Sequence, residues 1–129
     1  MAKTTKKDFE FFNREASHWL ARLNLMDYGV TFVHVGLEDS KCLAWTSVSL
    51  EDKVATIGLA TDWDWLEPDS YHLSKSAFHE CCELMLYKLH DKLTEFYSCG
   101  YVDEIRHEVI RTLESIIFDT YWNIKNKKK

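Results

Sequence analysis

Two periods of apolar positions divide this chain. Over residues 8–25, "DFEFFNREASHWLARLNL", the side chains of Phe9, Phe12, Ala16, Trp19, Leu20 and Leu23 recur at helical intervals, which predicts a first helix with Asp8 as its cap. After Gly29 the pattern changes. "VTFVHVGL" is rich in β-branched and aromatic residues and stops at the polar "EDSK", which predicts a strand followed by a turn. "CLAWTSVSL" and "VATIGLAT" read as two more strands, separated by Glu51-Asp52-Lys53, a connection of hairpin length. "DWDWLEPDSYHLS" holds the only proline and several turn formers, so it predicts a loop leading into a long helix over 73–96, with Asp69 or Ser70 as cap. "SCGY" around Gly100 breaks that helix. Helical periodicity resumes over 102–122 through Ile105, Val109, Leu113, Ile116 and Ile117.

The order α-β-β-β-α-α, without strand-helix alternation, points to an α+β domain: an N-terminal helix, a small three-stranded and mostly antiparallel sheet, and two C-terminal helices. At 129 residues the chain fits one domain spanning 1–129. Its 46% hydrophobic and 14% aromatic residues supply enough apolar area for a core without disulfide staples. The basic ends, residues 1–7 and 125–129, are expected to fray in solvent.

Charge narrows the function classes. The net charge of −5 includes lysines concentrated at both ends, so the body between is more acidic than the total. An acidic body lacks the clustered Lys and Arg that neutralise phosphates, so no nucleic-acid partner is expected. No apolar run approaches the length of a membrane span. Cys42, Cys81, Cys82 and Cys99 form no C-x-x-C pair, and no signal-peptide pattern opens the chain, so free thiols in a reducing cytoplasm are expected.

Within the long helix stands His79-Glu80-Cys81-Cys82-Glu83, one letter from H-E-x-x-H, in which two histidines hold zinc and the glutamate activates water. At 100° per residue, Phe78, Met85, Leu89, Leu93 and Phe96 mark the core face. His79 and Glu83 lie together at its rim, Glu80 nearly opposite its centre, and Cys82 and Cys81 at the core and its border. An i, i+4 pair supplies two ligands from one direction, and a third must come from elsewhere. His90 cannot supply it for the same ion, because eleven residues along a helix is about 16 Å. The next helix offers "DEIRHEVIRTLE", where His107 borders the core face and Asp103, four residues earlier, is placed to orient its ring. The resulting set is His79, Glu83 and His107 as metal ligands, Glu80 as the water-activating base, and Asp103 behind His107. Two imidazoles and one carboxylate match the ligand count of hydrolytic zinc sites, which leave a coordination position open.

These motifs, Ala77-Phe78-His79-Glu80 and His107-Glu108-Val109-Ile110-Arg111-Thr112-Leu113-Glu114, together with Trp19 and the strand "VATIGLAT" before Trp63, resemble small zincin-like metallopeptidases encoded by bacteriophages. The resemblance covers most of residues 15–118. It implies an N-terminal helix, a β-meander and two site-bearing helices, with zinc-dependent hydrolysis of peptide bonds in a host cytoplasm. Glutamate at the fifth motif position departs from H-E-x-x-H, and a carboxylate binds zinc less selectively than imidazole does.

Other readings compete. His79 and Glu83 could be a plain helical surface pair, or the domain could be a catalytically inactive zincin-like module that binds a host or viral protein. Glu104-x-x-His107 has the spacing of di-iron carboxylate bundles, but the four helices and second E-x-x-H that these need are absent. Trp63 and Trp65 read as capping a core edge or as lining a cleft. His18, His34, His72 and His90 read as surface or satisfied core residues.

Overall fold

In the computed structural model, which describes residues 2–38 and 41–127, the first helix, α1 (Lys6–Arg22), is opened by Thr5. The Thr5 hydroxyl accepts from the Asp8 backbone N–H at 3.1 Å, and the Asp8 carboxylate accepts from the Thr5 N–H at 2.8 Å. This reciprocal box satisfies two donors at the helix start. Asp8, expected as the cap, is thus its inner partner. Ahead of it, β1 (Ala2–Lys3) pairs antiparallel with β5 (Asp62–Trp63), and Lys3 Nζ reaches Asp62 Oδ1 at 2.8 Å. Residues 2–7 thus lie in β1, the Thr5 cap and the first turn of α1. Met1, Lys128 and Lys129, like Asp39 and Ser40 of the "EDSK" turn, lie outside the described residues.

The α+β class stands, with a three-stranded mixed sheet. The strands β2 (Gly29–Val35), β3 (Ala44–Ser49) and β4 (Val54–Ala60) lie in the order β2-β4-β3, β3 antiparallel and β2 parallel to β4. The β3–β4 hairpin follows the sequence reading, but β2 pairs with the third strand and not the second. The cause is the composition of β4. "VATIGLA" is apolar at almost every position, and Ala55, Ile57, Leu59 and Ala60 are all buried, as suits a strand covered on both faces. Gly58 of β4 faces Trp45 of β3, whose indole lies where a Cβ on Gly58 would be.

The second long helix, α2 (Ser70–Leu93), starts at Asp69, whose carboxylate accepts from the His72 N–H. It is the spine of the fold, in contact with α1, β3 and the last helices. Leu73, Ala77, Phe78, Cys81, Cys82 and Leu84 are buried along about half of its circumference. The expected core stripe is corrected accordingly: Phe78 is buried, but Leu89, near the end of α2, is 57% exposed and Phe96, in the turn after it, 80% exposed.

The chain re-enters a helix at Ser98, whose hydroxyl caps α3 (Cys99–Leu113); the break thus precedes Gly100. A π turn (Glu114–Phe118) and α4 (Asp119–Lys127) continue it. Here too the expected core face is rotated. Val102, Ile110 and Phe118 are buried, while Ile105, Val109 and Ile116 are exposed. The buried row carries the charged Arg106 at its centre, so the apolar pattern pointed to the neighbouring row. Eight residues of α-helix would overshoot two turns by about 80°, and the extra residue of the π turn brings Phe118 back to the side of Ile110. Among the described residues, no helix is long and apolar enough to cross a membrane.

Candidate metal centre

His79 and Glu83 project from the middle of α2 at i, i+4, and α3 lays His107 against them. The ligand atoms of these three residues all lie within 4.8 Å of one another. Glu83 Oε1 stands 3.5 Å from His79 Nε2 and 3.6 Å from His107 Nε2. Ligand atoms at zinc bonding distance on a tetrahedron are about 3.4 Å apart, so these separations suit one small cation. Glu83 Oε1 is also buried and has no hydrogen-bond partner. A buried carboxylate oxygen left bare costs stability unless something positive meets it, and here two imidazole nitrogens share the space in front of it. The donor set therefore fits a divalent cation of the zinc type.

Charge within the centre is arranged around that oxygen. The other oxygen of Glu83, Oε2, lies 3.3 Å from the Arg106 guanidinium. Burial alone would raise the Glu83 carboxyl, but His79, Arg106 and His107 outweigh it and hold the group below its ordinary value. His79 is clamped from both sides, because its Nδ1 lies 3.5 Å from Glu114 Oε2. Burial opposes the charge on this ring, yet Glu114 and Glu83 dominate and push its pKa up to about 10. With Nδ1 directed at a carboxylate, Nε2 is the nitrogen left to face a metal. Glu114 is seven residues after His107, close to two turns, so α3 and the π turn present both to one cleft.

Glu80 is not on the open side of α2 where the helical wheel placed it. It is only 7% exposed, because β3 packs over it and Thr46 Oγ1 donates to its Oε1 at 2.7 Å. Burial raises its pKa to about 7, partly offset by the charge of His79 and the Thr46 hydrogen bond. A carboxyl that titrates near neutrality can both take up and give back a proton. His79, Glu80, His107 and Glu114 all line one cavity of about 630 Å³, whose other walls include Leu43, Ala44, Trp65, Leu66 and Lys75.

Asp103 requires a correction. It was expected behind His107, but its Oδ1 accepts from His90 Nε2 at 2.7 Å and lies 3.3 Å from Arg106. His90 sits nearer α3 than sequence distance suggests, because α2 and α3 pack side by side beyond the turn at residues 94–98. Asp103 thus meets His90 and Arg106, and Arg106 in turn meets Glu83. The remaining histidines are engaged elsewhere: His34 with Thr4, His72 with Asp69, and His18 stacked on Tyr121. Glu104 is exposed and joins no metal-type cluster among the described residues. Trp63 is buried in the core, whereas Trp65 is exposed at the cleft, so the two expected roles divide between them.

Sequence reasoning missed Thr46, Arg106 and Glu114. Glu114 had a legible signal in its two-turn spacing from His107. Thr46 had none, since only the packing of β3 on α2 brings it to Glu80.

Neither a protein-family model nor a curated protein matches the chain. A similar solved structure is the crystal structure of the metallopeptidase zymogen of Methanocaldococcus jannaschii jannalysin, with 19% sequence identity and a TM-score of 0.41, covering 88% of this chain and 96% of that chain. Likeness at that level fixes neither family nor activity.

Proposed function

We propose that this chain is a metallopeptidase-like hydrolase that holds a zinc ion between His79, Glu83 and His107 and cleaves peptide bonds with Glu80 as general base. The observation that carries this reading is the bare, buried Oε1 of Glu83 with two imidazole nitrogens at 3.5 and 3.6 Å. A bound zinc ion supplies Lewis-acid chemistry, polarising a carbonyl and making water more acidic. The protein's part is to hold the donors and to move the proton. Glu114 keeps a proton on His79 Nδ1, and Arg106 holds the Glu83 carboxylate by Oε2, which leaves Oε1 toward His79 and His107. Thr46 fixes one oxygen of Glu80, which leaves Oε2 to take the proton of the attacking water and pass it to the leaving amine.

The test is metal analysis together with peptide hydrolysis. Protein purified without chelator should carry near-stoichiometric zinc that His79→Ala loses, while Glu80→Gln keeps the metal and loses the hydrolysis. Equal, negligible metal in wild type and His79→Ala would sink the proposal.

One observation favours a second reading, a non-catalytic module that binds a protein. Leu89, Phe96, Tyr101, Ile105 and Val109 leave large apolar side chains exposed on α2, the turn after it and α3. On that reading Glu80→Gln is biologically silent.

A further inference from the structure

Among the described residues, a cation on the wall of the cleft, Lys75, has no carboxylate paired with it. Lys75 lies one helical turn before His79 on α2, so Lys75, His79 and Glu83 form a single i, i+4, i+8 stripe. Its side chain is partly buried and lines the cavity shared by His79, Glu80 and His107. Among the described residues it meets the ring of Tyr71, 5.6 Å from the centroid, and no carboxylate is paired with it. Other charges along the cleft have partners. His72 is tied to Asp69 at 2.8 Å, Glu80 to Thr46 and Glu114 to His79. An ammonium on the wall of a cleft with no carboxylate against it can take an entering anion as its counter-charge.

We infer that Lys75 receives a carboxylate carried by the residue on one side of the cleaved bond, so that this cleft selects peptides with an anionic group next to the scissile position. The spacing supports it. The four residues from Lys75 to His79 are about 6 Å of helical rise, and a carboxylate on a residue adjoining a peptide carbonyl lies about one to two residue lengths from it. Lysine is suited to this task because its flexible stem lets a point charge follow either a side-chain or a terminal carboxylate. The inference rests on the hydrolase reading for the position of the scissile carbonyl, but the binding event does not require turnover.

Three peptides separate the outcomes: acetyl-Ala-Ala with a free carboxylate, the same peptide as its amide, and acetyl-Ala-Glu-amide. Each is titrated into the full chain with zinc present, wild type and Lys75→Met and Lys75→Arg variants, and followed by NMR shifts of the cleft residues. At least one anionic peptide should bind about tenfold tighter than the neutral amide, a gap kept in Lys75→Arg and abolished in Lys75→Met. Whichever anionic peptide wins identifies the source as chain terminus or side chain. Equal affinities, no binding by any of the three, or a preference that survives Lys75→Met would overturn the inference. Zinc content, measured on the same samples, separates the two claims: zinc bound without a carboxylate preference removes only this one, and a Lys75-dependent preference in a chain that takes up no zinc removes only the hydrolase.

Discussion

Glu83 and Arg106 meet across the seam between α2 and α3, Oε2 of the carboxylate 3.3 Å from the guanidinium, while Oε1 remains bare in front of His79 and His107. Arg106 is held in turn by Asp103, and Asp103 by His90. The far end of α2 and the start of α3 therefore set the direction in which a candidate metal ligand points.

Arg106→Met keeps the length and apolar stem but removes the charge. We expect zinc affinity to fall by about ten- to a hundredfold with the fold retained, as when a residue that orients a metal ligand is lost. Competition with a chromogenic chelator reads the affinity and circular dichroism the fold. Unchanged affinity would assign Arg106 a purely structural role.

Zinc binding should release protons. In the metal-free chain His79, with its pKa raised to about 10, is protonated at neutral pH and must lose that proton to bind metal. Affinity should therefore rise with pH through the neutral range, and calorimetry in two buffers of different ionisation enthalpy should count close to one proton released at pH 7.5. The same shift acts on stability. A folded pKa above the unfolded value gives a contribution fully present below about pH 6.5 and lost as pH rises toward 10. Glu80, raised to about 7, loses its contribution between about pH 4.5 and 7. Glu83, lowered, acts oppositely and loses its contribution as pH falls below the ordinary carboxyl range. Melting temperatures of metal-free protein should thus decline from pH 6.5 to 9, and added zinc should flatten the decline. A Glu114→Gln variant should show a lower His79 pKa by NMR titration.

The two cysteines inside the motif should be inert. Cys81 and Cys82 are fully buried, and burial raises both thiols, Cys82 to about 12. Cys99 is exposed. Alkylation of native protein at pH 8 should therefore label Cys99 first and spare Cys81 and Cys82 until denaturant is added, with mass spectrometry of the digest assigning the sites. Rapid native labelling of Cys82 would mean that α2 opens locally.

Gly58→Ala should destabilise the sheet. Its new methyl group would overlap the Trp45 indole on the neighbouring strand, an overpacking that costs roughly 1–3 kcal/mol. Urea denaturation measures it. Pairing the change with Trp45→Leu, which vacates the space, should recover part of the loss.

Spacing along single helices made much of this legible. Four residues from His79 to Glu83 put both on one side of α2 whatever surrounds it, because helical geometry is local. The same logic picked His107 from the last helix, and runs of β-branched residues located all three strands of the sheet. Where the reading failed, a second element was responsible. Asp103 has His107 at i+4 on its own helix but meets His90 from another one. Glu80 belongs to the open side of an isolated α2, yet β3 covers it and supplies Thr46. Leu89, Phe96, Ile105 and Val109 satisfy an apolar period and nonetheless face outward, while the charged Arg106 sits in the buried row.

By itself, then, the sequence determined the long helices, the three strands of the main sheet and the pair on α2, since these depend on periods within one segment; the short β1 and β5 exist only by pairing with each other. Only the tertiary structure decided that β4 is the central strand, that α3 delivers His107 to within 3.6 Å of Glu83, and that Glu80 is buried deeply enough to titrate near neutrality. Those outcomes depend on which segments pack together, and burial, desolvation and distance between remote residues exist only once they do.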